Sequence, residues 1–291
     1  MITEIQRFSL KDGPGIRSTV FFKGCNASCR WCHNPETLSL DSELLIYPER
    51  CAGCGACVGF DRARAGRGLP PPREELSWES AALCFSGALQ AAGAEMNLSQ
   101  VLDQLEQDKD YYLASGGGVT LSGGELMMQA GFAAEILRAC REKGIAAAIE
   151  TNLAYDYALL EGLLPCLDLV MADIKALDEG RHRAFTGIGN GVIRENAARL
   201  AKTGLPYIIR SPVIPGFNDN RADIKAIAAF VRGLGGNLLY YELLGFNPLG
   251  DSKYRALGRE NPYGGARLLD DGAMEALAAA AAETGIPVRR G

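Results

Sequence analysis

From Ser18 onward the chain alternates short runs of β-branched, aliphatic or aromatic residues with longer stretches whose apolar positions recur at helical spacing. The short runs predict strands at 18–23, 119–122, 146–150, 169–174, 207–212 and 238–244. Amphipathic stretches predict helices at 98–113, 126–143, 155–164, 192–202 and 219–234, with an alanine-rich last helix at 271–284 packed at the barrel's edge. Gly144 and Gly204 stand just past two of these, where the left-handed turn that ends a helix suits glycine. Six strand and helix units in this order predict an α/β fold, a parallel sheet curled into a partial (β/α)6 TIM-like barrel.

The rhythm breaks between about residues 41 and 94. This stretch carries four cysteines, the run Pro70-Pro71-Pro72 and the basic residues Arg62, Arg64 and Arg67, and reads as a small inserted domain. The barrel is then assigned to 1–40 and 95–291, and the insertion to 41–94.

With 291 residues, 47% of them hydrophobic, the chain is long enough for a sizeable core. A formal charge of -5 argues against a nucleic-acid substrate, because phosphate binding usually shows as a basic excess. No apolar stretch reaches membrane-spanning length, and the amino terminus lacks the apolar core of a signal peptide, so a cytoplasmic protein is predicted. The nine cysteines are odd in number and seven fall in two groups, which favours metal clusters over a disulfide framework. A monomer is the default expectation.

The first group follows the first predicted strand: Cys25, Cys29 and Cys32, spaced CxxxCxxC, in Gly24-Cys25-Asn26-Ala27-Ser28-Cys29-Arg30-Trp31-Cys32-His33. A [4Fe-4S] cube takes four ligands and this loop offers three thiolates, leaving one iron open. A zinc loop is the alternative, though zinc sites more often use paired CxxC or Cys/His sets. The second group is Cys51, Cys54 and Cys57, spaced CxxCxxC as in bacterial ferredoxins, with Cys84 in Cys84-Phe85-Ser86-Gly87-Ala88-Leu89 as a distant fourth ligand. Four cysteines suffice for one auxiliary cluster; Asp61 stands where a second would need another cysteine, and Phe85 where ferredoxins have proline. A zinc knuckle made by the same four thiols is the alternative.

Other chemistry-bearing residues cluster at predicted strand ends, where the loops of a (β/α) barrel converge. Ser122-Gly123-Gly124-Glu125 combines glycines that allow close backbone approach with a carboxylate able to accept from an ammonium group. Glu150-Thr151-Asn152 follows the third strand, Asp173-Ile174-Lys175 the fourth, and Asn247 the sixth.

The CxxxCxxC loop resembles that of the radical S-adenosylmethionine (SAM) superfamily. Asp12-Gly13-Pro14-Gly15-Ile16-Arg17, the segment Trp31-Cys32-His33-Asn34-Pro35-Glu36, Ser115-Gly116-Gly117-Gly118, Asp173-Ile174-Lys175, Phe185-Thr186-Gly187 and Pro215-Gly216-Phe217-Asn218-Asp219 make the chain similar to the glycyl-radical-enzyme activating family over about 2–248. The resemblance implies that SAM chelates the open iron and meets Trp31, Cys32, His33, Gly123, Gly124, Glu125, Asp173, Ile174, Lys175 and Asn247, the last standing where related activases often have histidine. It implies a monovalent cation near Glu150, Thr151, Met171 and Asp173, and a flavodoxin or ferredoxin as electron donor. The reaction implied is reductive cleavage of SAM to a 5'-deoxyadenosyl radical that abstracts hydrogen from a glycine of a partner enzyme. Cys25, Cys29 and Cys32 are thus the expected catalytic ligands. Arg17 is expected either to contact the partner at the barrel rim or to close the barrel edge through a salt bridge. A radical SAM enzyme with another protein or small-molecule target stays open, as does a ferredoxin-like carrier or zinc-binding adaptor, for which six βα units would be superfluous.

Overall fold

The computed structural model describes residues 1–58 and 72–291. Asp61, Arg62, Arg64, Arg67, Pro70 and Pro71 lie outside the described residues. Strands β1 (Ile2–Ser9), β2 (Arg17–Phe22), β3 (Glu43–Ile46), β4 (Leu89–Ala92), β5 (Gly118–Gly123), β6 (Ala147–Thr151), β7 (Leu169–Asp173), β8 (Tyr207–Val213), β9 (Leu238–Gly245) and β10 (Val288–Arg290) follow one another in the chain. The α-helices are α1 (Leu98–Leu105), α2 (Lys109–Ser115), α3 (Ala130–Glu142), α4 (Tyr157–Glu161), α5 (Glu179–Thr186), α6 (Gly191–Leu200), α7 (Arg221–Leu234), α8 (Gly250–Ala256) and α9 (Asp271–Ala282).

Eight strands form one sheet in the order β1-β2-β5-β6-β7-β8-β9-β10. The six predicted strands are its centre, all parallel. Pattern reading missed the two flanks. β1 pairs antiparallel with β2 and carries half-exposed polar residues, whereas β10 is three residues long beside β9. Among the described residues β1 and β10 do not pair, so the barrel stays open.

Side chains alternate across this sheet with the period of a strand. Val119, Leu121, Ile149, Val170, Ala172, Ile209, Tyr241 and Leu243 face outward into the main core beneath the helices. Ala148, Leu169, Met171, Ile208 and Tyr240 face inward and form an apolar floor. The next inward positions, Glu150, Asp173, Arg210 and Glu242, are all charged, and strand register sets them side by side: Asp173 opposite Arg210, and Arg210 opposite Glu242.

Helix boundaries follow local chemistry. Asn97, Asp178, Asn220 and Asp270 each accept from a backbone N–H in the first turn of α1, α5, α7 and α9, satisfying donors that a helix start leaves free. The predicted helix at 98–113 divides into α1 and α2 about a turn at Glu106–Asp108, and α5 and α8 were not anticipated. α5 has little amphipathic character, and α8 spans only seven residues.

Within 41–94, β3 and β4 form a separate two-stranded antiparallel sheet. Leu45, Tyr47 and Ala92 pack on Ala256 and Leu257 at the end of α8. Lys23 adds a buried link: wholly enclosed at the end of β2, its Nζ donates to Glu36 O at 2.6 Å and to Glu43 Oε2 at 3.0 Å. Arg259 pairs with the other oxygen of Glu43 at 2.5 Å.

Arg17 takes neither expected place. It is buried, with its guanidinium donating to Thr120 Oγ1 at 2.6 Å, Val119 O at 2.7 Å and Pro14 O at 3.1 Å. It staples the Asp12–Ile16 loop to β5 beneath the rim, and hydrogen bonds rather than a carboxylate hold its charge.

Candidate active site

A cavity of about 910 Å³ opens at the carboxyl ends of the parallel strands. Cys25, Cys29, Trp31, Cys32, His33, Gly123, Gly124, Asp173, Lys175 and Asn247 all line it, together with Glu150 and Thr151. The volume suits a ligand of cofactor size.

The cysteine loop leaves β2 through Gly24 and is tied down along its length. Gly24 N donates to Thr37 O at 2.7 Å, Ser28 N to Thr186 O at 2.8 Å and Arg30 N to Phe185 O at 2.9 Å. Asn26 anchors it from below: its Nδ2 donates to Ala154 O at 2.7 Å and its Oδ1 accepts from Asn152 Nδ2 at 2.8 Å. Trp31 packs on Phe217 and Phe185, with ring centroids 4.6 and 6.4 Å away. Lys253, on α8, secures the far end by donating to Asn34 Oδ1 at 2.7 Å and Glu36 Oε1 at 2.5 Å.

Burial pushes the Cys25 thiol up to about 11 and Cys32 to about 12, and raises Cys29 as well. Thiols so placed ionise at neutral pH only when a metal takes the proton's place. Among the described residues no three His, Cys, Asp or Glu side chains converge as they would on a single metal ion. The three thiols line the same cavity. The donor set therefore fits an iron-sulfur cluster.

Gly123 and Gly124 have a structural reason beside their position on the wall. A Cβ on Gly123, whose φ is +114°, would meet Phe22 N at 2.3 Å, and one on Gly124 would meet Gly24 O at 2.2 Å. Any larger residue would force the end of β5 away from the cysteine loop.

Asp173 and Lys175 form an ion pair at 2.6 Å on the wall facing the thiols. Burial works against the lysine charge, but Asp173 and the nearby Cys29 and Cys25 outweigh it and hold its pKa above the ordinary value. His33 is shifted the other way, down, by burial and by Lys253.

Three predicted residues are not on the wall. Met171 lies in the apolar floor. Ile174 is buried in the outer core. Glu125 is also buried, and its carboxylate accepts from Thr151 Oγ1 at 3.0 Å, Asn152 N at 2.8 Å and Met127 N at 3.2 Å. Burial raises its pKa to about 7. Asn247 reaches the wall while its Oδ1 accepts from Leu249 N at 3.0 Å.

Arg210 carries no assigned role in the sequence reading, yet it organises the charged layer. Its guanidinium pairs with Glu150, donates to Glu242 Oε2 at 2.8 Å and Lys11 O at 2.8 Å, and lies 3.8 Å from Met171 Sδ. Ser122 Oγ donates to the other oxygen of Glu150 at 2.6 Å. Single charges inside otherwise apolar strand runs were the available signal for Arg210 and Glu242.

In the insertion, Cys57 lies within electrostatic reach of Cys51, Cys54 and Cys84. Burial opposes ionisation of Cys84, but Leu89 N–H, 3.3 Å from its sulfur, and the Ser86 hydroxyl outweigh it and lower the pKa.

The model of the Radical SAM superfamily matches residues 19–231. Isethionate sulfite-lyase activating enzyme of Nitratidesulfovibrio vulgaris is 42% identical over 296 residues, covering 96% of this chain and 94% of that protein. Benzylsuccinate synthase activating enzyme of Thauera aromatica is 36% identical, covering 90% and 83%. Among solved structures, a domain of pyruvate-formate lyase-activating enzyme from Bacteroides vulgatus superposes with a TM-score of 0.51 at 26% identity, over 60% of this chain and 99% of that one. A radical SAM methyltransferase from Sphaerobacter thermophilus, 14% identical with a TM-score of 0.53 over 100% and 76% of the two chains, shares the fold.

Proposed function

This chain belongs to the radical SAM superfamily, among the activating enzymes of glycyl radical enzymes, and from that premise we propose that the cavity at the strand ends is where it acts and that Cys25, Cys29 and Cys32 are its cluster ligands. Bound there, a reduced [4Fe-4S] cluster and SAM supply the 5'-deoxyadenosyl radical that takes a hydrogen atom from a glycine of the partner. The observation that carries this reading is that all three thiols open into one cavity with the Asp173–Lys175 pair and the backbone of Gly123 and Gly124.

In this reading the protein positions and shields. Lys175 meets the SAM carboxylate and Asp173 orients the lysine, while the glycine pair lets the SAM amino group approach the backbone. Trp31, His33 and Asn247 border the adenosyl end, the amide of Asn247 offering the hydrogen bonds that an imidazole gives elsewhere. Glu125 and Ile174 support the wall from behind, the first through Thr151 and the backbone of Asn152.

The segment 41–94 is proposed as an inserted domain whose four thiols, Cys51, Cys54, Cys57 and Cys84, hold one auxiliary [4Fe-4S] cluster. The nearness of Cys57 to the other three and the N–H bond to the Cys84 sulfur support it. A reduced flavodoxin or ferredoxin is the proposed donor, and the protein is proposed to work as a cytoplasmic monomer. A monovalent cation is proposed near Glu150, Thr151, Met171 and Asp173, of which Glu150, Thr151 and Asp173 offer oxygens to the cavity; exchange of sodium for potassium in the activity assay tests it.

Isethionate sulfite-lyase is the first partner to try, because relatives at 42% and 39% identity activate that enzyme by name. The test incubates reduced, cluster-loaded protein with SAM and isethionate sulfite-lyase, benzylsuccinate synthase or choline trimethylamine-lyase. A glycyl radical seen by electron paramagnetic resonance with one of them is the expected result; SAM cleavage with no protein radical in any overturns the reading in favour of another radical SAM reaction.

A further inference from the structure

Phe8 is the one bulky residue among the described strands whose backbone is left-handed, with φ at +60°. The cause lies in the β1–β2 ladder, where Gln6 opposes Thr19 but Ser9 opposes Arg17, so β1 carries one extra residue. Such a bulge re-aims a side chain, and the left-handed position within it usually belongs to glycine. Here it holds a phenylalanine that stays 48% exposed. An aromatic residue kept in a disfavoured conformation, and kept out of the core, points to a use for its exposed ring.

The ring is rigid. Tyr111 meets it edge-on with centroids 5.0 Å apart, and the Arg7 guanidinium lies 5.4 Å from its centroid. Arg7 is itself anchored to Asp108, a buried carboxylate, with Nε 2.8 Å from Oδ2. Two residues on, Leu10 is 70% exposed, and both side chains border the cavity that holds the three thiols. Glu4 and Gln6, on the same strand, continue that border.

Ser9 pairs with Arg17 and Arg17 with Gly118, so Phe8 and Leu10 border the cavity at the amino ends of β2 and β5, opposite the end where the cysteine loop leaves β2; an extended partner segment that brings its glycine into the cavity from this side passes both. We propose that Phe8 and Leu10 form a preorganised apolar anchor for the residues flanking the partner's glycine, with Glu4 and Gln6 offering polar contacts to the same segment. This rests on the activating function proposed above. An anchor already ordered in the free protein loses little freedom on binding, which suits a contact that must form and release at each activation.

Phe8→Gly and Leu10→Ser test it. Glycine suits the left-handed position and Leu10 is outside the core, so both variants keep the fold, checked by circular dichroism and iron content. Each is assayed with whichever of the three partner enzymes the wild-type protein activates. The expected result is a KM for the partner raised at least fivefold with kcat unchanged, and SAM cleavage without partner within twofold of wild type. A KM within twofold of wild type in both variants, or a fall in kcat alone, overturns the anchor. A wild-type protein that raises no glycyl radical removes the activating reading and the anchor with it, and is told apart because it fails before either substitution is made.

Discussion

Glu125→Gln gives a pH signature that follows from burial alone. In the folded protein the Glu125 carboxyl titrates at about 7, whereas in the unfolded chain it titrates near the ordinary 4.5. Between those values the native state holds the extra proton, so the carboxyl's contribution to stability is complete below about pH 4.5 and is lost as pH rises through 7. A shift from 4.5 to about 7 corresponds to about 3 kcal/mol at most. Glutamine never ionises, but its amide group faces the N–H groups of Asn152 and Met127 and loses roughly one hydrogen bond, about 1 kcal/mol. The variant is therefore expected to match wild type to within about 0.5 kcal/mol at pH 5, where the unfolded carboxyl has already begun to ionise, and to be about 2 kcal/mol more stable at pH 8. Urea titrations of the cluster-free protein, run anaerobically at intervals between those pH values, measure the difference directly. A difference that does not change with pH means that Glu125 is charged throughout, or is solvated, and refutes the reasoning.

Cys25→Ala is expected to abolish SAM cleavage, while Cys140→Ala, at a buried core thiol, costs about 1 kcal/mol and leaves turnover intact; undiminished SAM cleavage in the first variant counts against the ligand assignment. Lys23→Met removes a wholly buried ammonium two residues before Cys25 and leaves Glu36 O without its donor. It is expected to lower stability by about 2–3 kcal/mol, read as a drop of about 5 °C or more in the melting temperature, because Glu43 keeps Arg259 but the buried carbonyl is stranded. Iron and sulfide analysis of anaerobically reconstituted protein should find about eight irons per chain, falling to about four in Cys51→Ala with Cys54→Ala; four in the wild type removes the auxiliary cluster.

The six parallel strands could be read from the chain because strands covered on both faces are near-continuous apolar runs. β1 escaped notice for the opposite reason: Glu4, Gln6 and Arg7 give an edge strand half open to solvent. The pair β3 and β4 joins residues about forty positions apart, and no local pattern announces a partner that distant. Glu125 shows the same divide within one motif. Its neighbours Gly123 and Gly124 stand on the cavity wall, while Glu125 turns away to Thr151 and Asn152, a direction set by the way β5 meets β6. The position of Arg17 after the Asp12–Ile16 segment leaves a rim contact and a barrel-edge salt bridge equally open, but packing draws it inward, where three oxygens replace the water around its charge.

The sequence by itself determined the chemistry on offer: two groups of cysteines at cluster spacing, the order of the strands, and the polar residues that follow each one. These are local properties of spacing and composition. Only the tertiary structure decided which of those residues meet. It gathers Cys25, Asp173, Lys175 and Asn247 from loops separated by more than two hundred positions, sets Arg210 between Glu150 and Glu242, and bends β1 so that Phe8 borders the cavity beside the amino end of β2. The physical reason is strand register and closure, since a side chain's position in a barrel depends on how neighbouring strands are offset, and that offset is settled by the packing of the whole sheet.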